Sequence, residues 1–245
     1  ISKTLIMKNF VIFFCSFLLI FLYGSFSIAS ANPEKREFRG AWIATVANID
    51  WPSNVSATSE EKKTELIQIL DSLRKCKINA VIFQIRPTAD ALYKSDIEPW
   101  SEWITGEQGR APEPFFDPLQ LVVEEAHKRC MEVHAWINPY RVTNFQNYKL
   151  DENHIYFKKP HLFKTYGGRI YFDPGLEETG DYLIRVLQDI VSRYDIDALH
   201  LDDYFYPYPS GGADFPDEET FQNNSRGFTS KADWRRDNVN RIVKR

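Results

Sequence analysis

Cysteine is scarce in this chain: three in 245 residues, far apart. No CxxC pair occurs, so the spacing of a zinc site or a dithiol centre is missing. HxxxH and HxH pairs are absent too, and no metal or other cofactor is expected. Charge of one sign is also lacking. Thirty basic and 34 acidic residues leave a net −4 at pH 7, which offers no footing for nucleic acid or an acidic membrane. No glycine-rich phosphate loop is visible, which argues against a doubly wound nucleotide-binding sheet. Aromatics are plentiful at 15%. That suits stacking on sugar rings, although aromatics also fill ordinary cores.

One long apolar run is present, over residues 9–28, behind Met7 and Lys8. Ala29, Ser30 and Ala31 supply the small-residue pattern of a signal-peptidase site, followed by the charged stretch NPEKREFRG. Residues 1–31 are therefore read as a cleaved signal peptide with upstream residues. The protein is expected outside the cytoplasm, periplasmic or secreted, with no stable membrane anchor after cleavage. Cys15 sits behind two Phe, where a small residue would precede a lipid-modified Cys, so a lipoprotein is not expected.

From residue 36 onward one unit recurs: an amphipathic helix, a short connection and a strand. Helices are predicted over 60–76, 117–130 and 179–194. The first carries Leu66, Ile69, Leu70 and Leu73 at helical spacing. The second opens on Asp117 and Pro118, a residue pair suited to a helix start. Each leads into a strand, NAVIFQIRP, MEVHAWINP or IDALHLDD, and REFRGAWIATVAN reads as an earlier strand. This alternation implies βαβ units and a parallel sheet. Helix-to-strand links are short. Strand-to-helix links are long, roughly 48–59, 87–116, 139–178 and 205–232, as in enzymes that build sites at the carboxyl ends of strands. The expected fold is a (β/α)8 barrel, of which the N-terminal half lies in this chain. A complete barrel takes about 250 residues, so a longer polypeptide is expected. The last predicted helix would then leave Val239, Ile242 and Val243 uncovered. Cys76 and Cys130 close predicted helices, where small buried hydrophobes are expected, with one disulfide as the alternative.

The densest signal is residues 196–209, IDALHLDDYFYPYP. Alternation along a strand puts Leu199 and Leu201 on one face and His200, Asp202 and Tyr204 on the other. A carboxylate is seldom buried without a partner, which places Asp202 at the open end of its strand. The same alternation gives an inward set of Arg86, Trp136, Asn138, His200 and Asp202. An Arg beside Asp202 would keep it ionised, and Trp136 and Tyr140 could stack on sugars. Trp51, Trp100 and Trp103 lie in long loops as outer walls, or simply as loop filling.

FRGAWIATVANIDWPS, INAVIFQIRPTADALYKSDIEPWSEWITGEQG, AHKRCMEVHAWINPYRV and YDIDALHLDDYFYPYP together resemble the bacterial glycosyl-hydrolase-like family 10. The likeness runs from about Arg36 to the last residue. It implies a TIM-barrel glycoside hydrolase related to the α-amylase superfamily, acting first of all on peptidoglycan glycan strands stripped of stem peptides. In the related barrels a nucleophilic Asp ends the fourth strand, two residues after a basic residue. His200-Leu201-Asp202 matches, with His in place of the usual Arg. The resemblance thus makes Asp202 the nucleophile or general base and Asp203 its neighbour in the cleft. Arg86, Trp136, Asn138, Tyr140, His200 and Tyr204 are the expected substrate contacts. It places the general acid on the fifth strand, past Arg245. Cys130 departs from the family, which has Gly there.

Glycoside hydrolysis needs two carboxyl groups, a proton donor and a nucleophile or base. Asp50, Asp90, Asp173 and Asp203 are the candidate partners of Asp202 within the chain, and any of them could instead cap a turn. A non-catalytic glycan-binding barrel would keep the aromatics and lose the acid. A metal-dependent polysaccharide deacetylase would need the His pairs that are missing here.

Overall fold

The structure, a computed structural model, describes residues 37–145, 148–202 and 205–245. The signal-peptide reading of 1–31 and the roles given to Asp203 and Tyr204 fall outside the described residues. Among the described residues no helix is long and apolar enough to cross a membrane.

Residues 38–245 form one compact unit around a parallel sheet. In chain order its elements are β1 (Gly40–Ile43), α1 (Ser59–Lys75), β2 (Ala80–Arg86), α2 (Glu102–Thr105), α3 (Pro118–Lys128), β3 (Glu132–Ile137) and α4 (Ile155–Lys158). There follow β4 (Phe163–Tyr166), β5 (Arg169–Phe172), α5 (Glu177–Arg193), β6 (Ala198–Leu201), α6 (Glu218–Asn223) and α7 (Lys231–Lys244). The sheet order is β1-β2-β3-β6, every pair parallel. Strands β4 and β5 make a separate antiparallel hairpin inside the long stretch read from sequence as loop.

Local chemistry fixes the helix ends. Thr58 and Glu61 form a reciprocal capping box on α1. Asp117 caps α3 through the Gln120 N–H, with Pro118 at the first position. Leu66 and Leu70 of α1 are fully buried, each contributing on the order of 1.5–3 kcal/mol. They join Val81, Phe83, Ile85, Val133, Ala135 and Ile137, the helix-facing side of the sheet, in one core.

The opposite face is concave. Trp42 on β1 and His200 on β6 lie at the two edges of the sheet, three strand steps apart. In a flat sheet that is roughly 14 Å. Their rings are 4.6 Å apart, edge to face, so the sheet curls strongly and its inward side chains converge.

Several expectations change. Ile242 is buried in the core, while Val243 is exposed. Cys76 and Cys130 are exposed free thiols, neither buried nor bridged, because both sit where their helices turn out towards solvent. Beside β6 runs an apolar groove of about 550 Å3 between α5 and α7, lined by Val191, Leu199, Leu201, Phe205 and Val243 among others.

Candidate active site

Parallel strands present their carboxyl ends along one rim, and the candidate site lies there. Asp202 is the first residue after β6. Its N–H donates to the Ile137 carbonyl (3.2 Å), which continues the ladder by one step, and the residue is half-buried. His200 precedes it on the same face and is also half-buried. Burial holds the His200 imidazole below its ordinary pKa and His134 adds to this, while the Asp202 carboxylate pulls the other way. At neutral pH His200 is therefore an uncharged neighbour of Asp202. Trp42 packs edge to face on both Trp136 (4.5 Å) and His200. Trp42 was missed as a site residue, although it occupies the inward register position of β1 opposite Ile82.

Behind this aromatic floor lies a buried polar network. The Gln84 side-chain oxygen accepts from the Thr45 and Val46 N–H groups, both at 2.9 Å. Its amide donates to Asn138 Oδ1 (3.4 Å), and Asn138 donates to the Pro87 carbonyl (3.2 Å). Asn138 thus stands on the rim as expected, fully engaged in tying the first three strand ends together.

Arg86 does not stand beside Asp202. A bulge shifts the β2–β3 register between Gln84 and Arg86, so Arg86 pairs with Ile137, whose side chain faces the helices. An extra residue in one strand carries the following side chain to the other face. The guanidinium makes a two-pronged pair with Glu98 (2.6 and 2.7 Å) and donates to the Asn138 and Pro139 carbonyls. Both side chains of the pair are fully buried, and Tyr182 of α5 donates to the same carboxylate (3.0 Å).

Tyr140 and Trp136 also differ from the expected sugar platforms. The Tyr140 carbonyl accepts from the Phe172 N–H (2.8 Å), which turns the residue under the hairpin against Phe205, 3% exposed. Trp136 is 8% exposed and fills the concave face. Trp51 is wholly interior, its indole donating to the Lys62 carbonyl, because the loop after β1 folds back beneath α1. Trp103 instead packs edge to face on Phe145 in the loops above the rim.

Of the other candidate carboxylates among the described residues, Asp50 and Asp173 have structural partners. Asp50 accepts from the Ala44 N–H (2.8 Å). Asp173 is buried and accepts from the Gly175 N–H and the Thr220 hydroxyl. Asp90 is fully buried at the foot of the loop after β2. Among the described residues no cluster of three or more His, Cys, Asp or Glu side chains could hold a metal ion.

Residues 37–245 match the profile of the family described as Glycosyl hydrolase-like 10. The chain belongs to that family. Two relatives carry the likeness further. Glycosyl hydrolase YngK of Bacillus subtilis (strain 168) is 46% identical over 235 residues, covering 93% of this chain and 46% of YngK. Glycosyl hydrolase DigH of Escherichia coli (strain K12) is 38% identical over 237 residues, covering 90% of this chain and 53% of DigH. This Glycosyl hydrolase-like 10 chain spans about half the length of the relatives it matches. A hypothetical protein from Ruminiclostridium thermocellum shares the fold at a TM-score of 0.51. It is 16% identical, with 78% of this chain and 88% of that one covered.

Proposed function

We propose that this chain carries the nucleophile side of a glycoside hydrolase active on a bacterial polysaccharide outside the cytoplasm. The first substrate to test is peptidoglycan glycan strands lacking stem peptides. The reading is carried by the position of Asp202: a half-exposed carboxylate at the carboxyl rim of a curled parallel sheet, with a neutral His behind it. Catalytic groups of (β/α)8 enzymes sit at that rim, and the convergence of Trp42 and His200 across the concave face supports a barrel built on these four strands. In this reading Asp202 attacks the anomeric carbon, or activates the water that does. The second carboxyl is Asp203 or a group elsewhere in the longer polypeptide, and it protonates the leaving oxygen. Trp42 and His200 form the sugar-facing floor beside Asp202.

The test uses the full polypeptide and its Asp202→Asn variant, incubated with peptide-free glycan strands and with an α-glucan panel. Released reducing ends are read by mass spectrometry. Glycan-strand cleavage by the wild type should fall on the order of 10²–10⁴-fold or more in the variant, with circular dichroism unchanged. Full activity in the variant would remove Asp202 from the chemistry. Binding of glycan without cleavage by the wild type would make this a carbohydrate-binding barrel.

A further inference from the structure

The loop after β2 and the segment after β3 meet over a sealed polar cluster that the proposed chemistry does not use. Asp90 is at its centre, 0% exposed, with Thr88 and Ser101 also fully buried. Asp90 Oδ1, Thr88 Oγ1, Ser101 Oγ and Tyr148 Oη make no hydrogen bond of regular geometry, although Ser101 and Thr88 lie close enough to Asp90, and Tyr148 to Glu102, to favour the charged carboxylates. The Gln108 amide spans the two segments. Its nitrogen donates to Asp90 Oδ2 (3.3 Å), and its oxygen accepts from the Asp151 N–H (2.8 Å). Next to it Gly109, at φ 89°, has no room for a Cβ, because the Asp151 carboxylate presses against it. His154, fully buried, closes the far side. Its Nδ1 accepts from the Tyr156 N–H, so Nε2 carries the hydrogen and donates to the Ala89 carbonyl (3.1 Å).

Among the described residues no cation compensates Asp90. The nearby guanidinium of Arg86 is committed to Glu98. The other titratable groups around the cluster are Glu98 itself, Glu102, Tyr148, Asp151 and His154. Glu102 is half-buried, and burial raises its carboxyl pKa against the opposing hydrogen bond from Tyr148. A carboxylate sealed among other acids, without a positive partner, is costly, and a proton relieves the cost.

We propose that Asp90 is a positioning residue whose protonated carboxyl, bridged by Gln108, latches the segment after β3 onto the loop after β2. The latch sets one wall of the rim, and losing the proton releases it. Burial chiefly raises the Asp90 carboxyl to about 7, with Glu98 adding to the rise and hydrogen bonds from Gln108 and Ser101 opposing it. Released, the group returns to about 4. The sign follows from linkage: the latched form binds the proton more tightly, so latching weakens as pH rises from about 4 to about 7 and then levels off. Burial lowers His154 to about 4, so it stays neutral across that window.

Hydrogen exchange of the full polypeptide tests this without any substrate, so its failure is separable from failure of the glycosidase reading. After correction for intrinsic rates, the opening constant of residues 148–154 should rise by tens of fold between pH 5 and pH 7.5. It should be flat above pH 8, and flat throughout in Asp90→Asn. A flat wild-type profile, or a variant that tracks the wild type, overturns the proposal. If Asp90→Asn does not fold, the wild-type profile decides alone: a one-proton slope ending in a plateau supports the latch.

Discussion

Cys130 and Lys77 occupy the same place in two neighbouring helices, one residue past the C-cap. Each has a positive φ, 54° and 61°. Around Cys130 the Met131 N–H returns to the Ala126 carbonyl and the Cys130 N–H to that of His127, which together make a Schellman end. A side chain in this left-handed conformation costs roughly 1–2 kcal/mol that glycine avoids, offset in part by the greater freedom of glycine in the unfolded chain. Cys130→Gly is expected to stabilise the protein by about 0.5–1 kcal/mol in urea titrations. Because the thiol is exposed, no packing is lost; a destabilised variant would mean that Cys130 makes a contact its exposure does not show.

At the scale of elements, the bulge in β2 decides which residues face the rim. Strict alternation predicts that Gln84 and Arg86 share a face, and it predicts correctly for Gln84, Trp136, Asn138 and His200. It fails at Arg86 because the bulge adds a residue that a period of two cannot reveal, and a buried ion pair with Glu98 results. Removing one member strands the other, so Arg86→Met should cost about 3–5 kcal/mol in denaturant melts. Arg86→Met with Glu98→Gln should recover part of that loss, since no buried charge is then left alone. An equal loss in both would show that packing against Phe172 and Tyr182, not charge, is what Arg86 supplies. The long helices α1, α3 and α5, the four parallel strands and the cap at Asp117 are legible because their signals are local. The burial of Trp51 and Tyr140 is not, because it depends on partners 11 and 32 positions away, the Lys62 carbonyl and the Phe172 N–H.

For the molecule as a whole, the side of β6 left unpaired among the described residues matters most. Leu199 is 37% exposed, Val191 50% and Val243 61% along the groove beside this edge strand. An apolar edge strand is a template for pairing with another chain. This 245-residue chain is expected to self-associate at micromolar concentrations, and Leu199→Lys should shift it towards monomer with unchanged circular dichroism. Sedimentation velocity separates the outcomes: a wild type monomeric at every concentration would mean that the groove does not act as an edge.

The edge-to-face stack of Trp42 on Trp136 and His200 also makes the candidate site its own optical probe. An imidazole in contact with an indole quenches its emission most strongly once protonated, and a second indole at 4.5 Å shares the excitation. The brightness of Trp42 therefore reports the charge on His200, and so the electrostatic surroundings of Asp202, in the resting protein before any glycan is added.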